Sequence, residues 1–296
     1  MPILAEKLNQ LKRDVVTAAR LAEFWDKQIH THGEHKAEAF YLSLGLNHIE
    51  RKGVEWEGLT LSREPKEHEK IAVKGIHNAQ ESAKESIGTV LLRLRADLIT
   101  DGLSRIKKLR PAHYHELVLQ APGELRIDLS DKLVKVHRHG RMLVAAELNT
   151  KAAVIDDGDF DELEDLVDLT TSRVTNDVQS RLIDAAARHA LLGQTGDGLI
   201  NAVTNEINAG SVTYIDRAAR GLANKVINIG RGDEAEARSD EWERVEYSAL
   251  LDQNVCEPCA AEDGQTANSE DDLQPAPNPD CLGGDYCRCF HVWINQ

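Results

Sequence analysis

Cys256-Glu257-Pro258-Cys259, Cys281 and Cys287-Arg288-Cys289 hold all five cysteines of a 296-residue chain, and none lies in the first 255 positions. Cysteines scattered through a core for their packing would not collect in that way. Two residues between Cys256 and Cys259 put both sulfurs on one tight knuckle. A second group, after twenty-one intervening residues, can close a tetrahedron around a soft divalent ion. Zinc takes four ligands where its role is structural, and thiolates are its usual choice. The stretch therefore predicts a structural zinc site. Disulfides are the main rival, but an odd number of cysteines would strand one thiol. Met1-Pro2-Ile3-Leu4-Ala5-Glu6-Lys7 also turns charged at once, without the apolar run of a secretory signal. A thioredoxin-type redox pair would open a helix after a strand, whereas Ala260-Ala261-Glu262-Asp263-Gly264 reads as a turn. Unpaired buried cysteines are the remaining alternative.

On either side of the cysteines the pattern is that of short strands. Trp242, Val245, Tyr247 and Leu250 roughly alternate before the first knuckle, and Phe290, Val292 and Ile294 alternate after the last. The two segments are expected to pair across the metal site. Together they make a β unit too poor in apolar residues to hold itself together without a staple. Asp271 to Asp280, with three prolines, reads as an exposed loop between the halves of the site.

Upstream, the period changes to that of helices. Residues 3–28 and 34–50 carry apolar positions at threes and fours, and residues 51–63 read as an edge strand or extended loop. Pro65 is expected to open a long helix to about residue 100, Ser130-Asp131 to cap another over 131–148, and an acidic start near 155–165 to begin one that stops at Gly193. Two more are expected near 197–208 and 212–229, the last polar on one side and closing at Gly230. His30, His32 and His35 suggest an exposed turn rather than a metal site. His137 and His139 diverge by roughly 200° on a helix, so one metal would not hold both, and solvated positions are expected. The fold class is mainly α, an extended helical body with a small C-terminal zinc-stapled β unit. It divides as a helical region over 1–150, a helical core over 151–232 and a Cys-rich module over 233–296.

The net charge of −15 is uneven: residues 1–150 carry 24 Lys and Arg against 21 Asp and Glu, and residues 151–296 carry 11 against 29. An acidic half is a poor reader of duplex DNA, whose affinity comes mostly from phosphate neutralisation. It suits a hydrated surface or a basic protein partner. No apolar stretch approaches the ~20 residues of a membrane span.

From about residue 175 the chain resembles phage head-morphogenesis proteins, the minor capsid proteins of the Mu-F-like family. The resemblance rests on an order of features. Arg217, Arg220, Asn224, Asn228, Gly230 and Arg231 come first, on a helix. A strand then leads through Ala249-Leu250-Leu251-Asp252 to the Cys256–Cys259 knuckle, followed by Glu262-Asp263-Gly264, Pro279-Asp280-Cys281 and Cys287-Arg288-Cys289. The family's usual histidine is absent from the Pro-rich loop, where Asn278 or Cys281 stands instead, and Leu282 to Tyr286 is inserted. If Cys281 replaces the imidazole, the ligands are Cys256, Cys259, Cys281 and Cys287, with Cys289 competing for the last place. A strand-edge His291 has no expected role.

The resemblance implies a minor component of a tailed-phage head, made in the host cytoplasm and carried in the virion near the portal vertex. It would bind the portal protein, with the major capsid or a scaffold protein as further candidates, and would act in assembly without catalysis, membrane contact or specific nucleic acid. A head-maturation protease or toxin-type enzyme fused to such a region is one alternative. Ser43, Ser62 and Ser104 are available, but no nucleophile elbow links them to a base. A zinc-ribbon nucleic-acid module is another. It should interleave basic residues among the cysteines, where Arg288 stands alone among many acids.

Overall fold

Among the described residues, the helical body is built from five long helices whose apolar positions recur at threes and fours. In the computed structural model, residues 53–152, 160–209, 212–251 and 255–295 are described. The helices expected over 3–28 and 34–50, and His30, His32 and His35, lie outside them. A β-hairpin comes first, β1 (Val54–Trp56) paired antiparallel with β2 (Leu59–Leu61). The long helices are α1 (Glu69–Ile106), α2 (Gly123–Glu147), α3 (Asp161–Leu191), α4 (Gly196–Ala209) and α5 (Val212–Glu236). Leu91, Leu94 and Leu98 of α1, Leu129 and Leu133 of α2, Val174 and Leu182 of α3, and Val226 and Ile227 of α5 share one buried core. The architecture is mainly α with a small C-terminal strand unit, as the sequence predicts.

That unit contains β3 (Arg244–Ser248), the short α6 (Glu257–Glu262), β4 (Thr266–Ala267) and β5 (Phe290–Ile294). The sheet order is β4-β3-β5, antiparallel throughout, with Tyr247 opposite His291 and Val245 opposite Ala267. The expected pairing of the two flanking segments is therefore present. The sheet is buried on both faces. Phe290 and Val292 join Ala72, Val73 and Ile76 of α1 and Leu61 of the hairpin. Val245, Tyr247 and Trp293 pack with the cysteines and with Val144 and Leu148. Residues Arg51–Gln296 form one compact unit.

Several boundaries differ from the sequence reading, each for a packing reason. The long helix begins at Glu69, four residues beyond Pro65, and runs through Gly102 to Ile106. At Gly102 a Cβ would lie 2.5 Å from Leu182 Cδ1, so this glycine marks close packing against α3 rather than a helix end. The helix assigned to 131–148 starts at Gly123, directly after Pro122, whose carbonyl accepts from Leu125 and Arg126 N–H. Leu125 and Leu129 extend its buried face N-terminal to Ser130, and that burial decides the start. The helix expected to close at Gly230 continues to Glu236. A Cβ at Gly230 would sit 2.2 Å from His137 O, and one at Gly140 would sit 2.4 Å from Ile227 O. These two glycines let α2 and α5 cross backbone to backbone. His137, expected to be solvated, is fully buried at that crossing, with Nε2 2.5 Å from Asp233 Oδ2.

Candidate metal centre

Five cysteine sulfurs collect with Val245, Tyr247 and Trp293 on one face of the small sheet. Cys256 precedes α6 in extended backbone, Pro258 occupies that helix's first turn, and Cys259 lies one turn on, where Ala260 N–H returns to Cys256 O. Gly264, at φ +88°, turns the chain back so that its N–H reaches Tyr247 O and locks the knuckle to β3. Asn278 is buried in the Pro-rich loop. Its Oδ1 accepts from Asp280 N–H and Gln274 Nε2, and its carbonyl accepts from Cys281 N–H, which aims Cys281 inward.

Cys256, Cys259 and Cys281 form one sulfur triad and Cys259, Cys287 and Cys289 a second, each with its atoms within 4.8 Å of one another. Cys256 Sγ and Cys281 Sγ are 3.6 Å apart, and Cys259 Sγ and Cys287 Sγ are 4.0 Å apart. Ligands each ~2.3 Å from a tetrahedral zinc would be about 3.8 Å apart, so both separations fit. Both far exceed the ~2.05 Å of a disulfide, and none of the five cysteines is in a disulfide. This donor set could hold a metal ion. Burial supports the same conclusion: Cys256, Cys259, Cys287 and Cys289 are buried and Cys281 is half-buried.

The electrostatics of the cluster are compatible with a bound cation. Neighbouring sulfurs, Cys256 first and then Cys281, Cys287 and Cys289, push the Cys259 thiol far up, and burial adds to this. Hydrogen bonds from Cys256 and Cys259 hold Cys281 below the usual thiol range. Thiolates crowded this closely cannot ionise together without a positive charge among them, and a divalent ion held there would supply it. Cys281 interacts with Cys256, Cys259 and Cys287. Cys289 lies against both Cys259 and the Tyr247 hydroxyl, which burial and that sulfur keep protonated. The five sulfurs together could hold a metal ion, with Cys259 common to both triads.

The segment carrying the last cysteines hangs on α5. Positions 224, 228 and 231 follow at steps of four and three and share one helix face. Asn224 Nδ2 donates to Cys287 O at 2.7 Å, Asn228 Nδ2 to Cys289 O at 3.3 Å, and Arg231 Nη2 to His291 O at 2.6 Å. Three alternate carbonyls of the incoming strand are thereby satisfied by one helix. Arg231 is fully buried, holds both Glu147 oxygens at 2.5 and 3.0 Å, and lies over the rings of Phe290 and Trp293. The polar side of this helix was visible in the sequence; its acceptors were not, because they lie some sixty residues downstream.

His291 is not a role-free edge residue. It is buried, with Nδ1 2.9 Å from Glu270 Oε1 and Nε2 donating to Gln274 O at 3.0 Å, so it ties the Pro-rich loop to β5. Asp263 closes the site's outer side, accepting Ala249 N–H at 3.0 Å and Arg63 Nε at 2.9 Å. Neither contact has a local sequence signal. No family model, no curated protein and no solved structure matches this chain.

Proposed function

We propose that the protein is a minor capsid protein acting in head assembly of a tailed bacteriophage, with one zinc ion as a structural clamp. The observation that carries this reading is the α5 ladder. Asn224, Asn228 and Arg231, quoted above for the family resemblance, act as one device that holds the Cys-Arg-Cys segment at the sulfur cluster. Four thiolates leave no open position for a reactive water, which favours a structural over a hydrolytic ion. The clamp rigidifies a surface built from distant parts of the chain, and such a surface suits a protein partner. That partner is the portal protein, near whose vertex the molecule would sit inside the head. Of the serines weighed as nucleophiles, Ser62 is buried and Ser104 gives its hydroxyl hydrogen to Asp101 O.

Two measurements test this. Metal analysis of freshly purified protein should return about one zinc per chain. Co-expression with the portal protein of the same virion should give a complex that survives purification. A portal protein that never co-purifies, together with covalent labelling by a serine-directed probe, would replace the assembly role with an enzymatic one.

A further inference from the structure

Cations collect unevenly where α1, α5 and the turn at Tyr286–Arg288 meet. From α5 come Arg217 and Arg220, one turn apart, and from the cysteine segment comes Arg288. From α1 come His77, Gln80, Glu81 and Lys84. Arg288 Nε donates to Gln80 Oε1 at 2.9 Å, and its Nη2 lies 2.8 Å from His77 Nδ1. Arg220 lies 3.4 Å from Glu81, which Lys84 also engages at 3.5 Å, and Lys84 reaches Asp216 at 3.4 Å. Arg217 stacks on the Tyr286 ring, its Cζ 5.3 Å from the centroid. Burial first and then the Arg288 charge lower the His77 pKa, Arg220 adding to them and Glu81 opposing, which favours an imidazole that accepts from Arg288.

The hydrogen-bond accounting is as uneven as the charge. Among the described residues, Arg217 Nε, Arg220 Nε and Gln80 Nε2 are buried donors with no acceptor, and Gln80 is only 3% exposed. Buried donors left unpaired are costly and uncommon. All three here are donors, in a patch already rich in positive charge, so what is missing is an acceptor carrying negative charge.

We propose that this patch binds a phosphate group, held by the guanidinium forks of Arg217 and Arg220 in the positive field of Arg288. A guanidinium takes an oxyanion side-on through Nε and Nη, and several forks can share one phosphate because it offers up to four oxygens. A carboxylate offers two, and Glu81 leaves the orphan donors unserved. This site adjoins the sulfur cluster through Arg288, uses none of its sulfurs, and does not depend on the assembly role proposed above.

The test is an inorganic phosphate titration of the metal-loaded protein, read at the arginine Nε–H resonances by NMR. Saturable shifts at Arg217 and Arg220 are expected, absent with chloride at matched ionic strength. Arg217→Gln combined with Arg220→Gln should weaken phosphate binding by about tenfold or more while leaving metal content and helicity unchanged. A short single-stranded oligonucleotide that competes with phosphate would identify the group as part of a nucleic-acid backbone, and one that does not would identify a free phosphate. Shifts that never saturate, or phosphate affinity unchanged in the double variant, would overturn the proposal.

Discussion

Cys259 belongs to both sulfur triads, while Cys289 is the thiol turned toward Tyr247. The two cysteines should therefore respond differently to the same conservative change. Cys259→Ser removes a ligand common to every arrangement of four and should lower zinc affinity by more than the ~10–100-fold typical of changes outside the ligand set. Cys289→Ser should leave close to one ion per chain. Metal content after gel filtration measures both, and loss of the ion from Cys289→Ser with retention in Cys287→Ser would reverse the assignment of the fourth ligand. The cysteines were legible in the sequence because metal ligation has strict local chemistry: few residue types serve, and their spacing is constrained. The residues that aim them were not. Asn224 looks like any polar position on an amphipathic helix until Cys287 O is found 2.7 Å away.

Glycine carries the main lesson for whole elements. The helices were recognisable by period, because burying one face fixes a three-to-four repeat that propensity alone does not. Their ends were less legible. A glycine that stops a helix and one that lets two helices touch look alike in sequence, and Gly230 is of the second kind. Replacing glycine by alanine inside a helix ordinarily stabilises it by up to about 1 kcal/mol. At Gly230 the new Cβ would meet His137 O at 2.2 Å and His137 C at 2.9 Å, both backbone atoms that cannot rotate aside. Separating the helices would disturb the buried Arg141–Glu234 pair and the Arg231–Glu147 pair, which also bridge α2 and α5. Gly230→Ala should thus destabilise the protein by roughly 2–3 kcal/mol, seen as a lower urea midpoint. A midpoint equal to or above wild type would mean that the crossing is looser than described.

At the scale of the molecule, the cysteine unit is joined to the helical body by charge as well as by apolar burial. Arg63 bridges Glu69 and Asp263, and Glu69 also accepts from Lys66 N–H and Ser248 Oγ. Burial alone would raise the Glu69 carboxyl, but these hydrogen bonds, Arg63's foremost, outweigh it and hold the pKa below the usual value. A depressed carboxyl stabilises the fold above its unfolded pKa, near ~4.3 for Glu, and that contribution is lost as pH falls through the folded value. Glu69→Gln should cost about 2–3 kcal/mol near neutral pH, allowing for the partial exposure of Arg63. The gap to wild type should close in acid, and denaturant titrations at several pH values would show whether it does. An ion held by the cysteines would act on a different part of the same unit. Strand β5 is buried against α1 through Phe290 and Val292 and pairs with β3, and α5 holds the carbonyls leading into β5, so neither strand depends on metal alone. The stretch from Cys256 to Cys287 has short helical turns, a Pro-rich loop and few large apolar side chains, and its conformational entropy is opposed chiefly by the sulfur cluster. Removing the ion should leave the helical signal in circular dichroism nearly intact and raise amide exchange selectively over residues 255–289, with 244–248 and 290–294 still protected. Uniform loosening of both strands would make the clamp a condition for the whole sheet, and unchanged exchange over 255–289 would remove its structural role altogether.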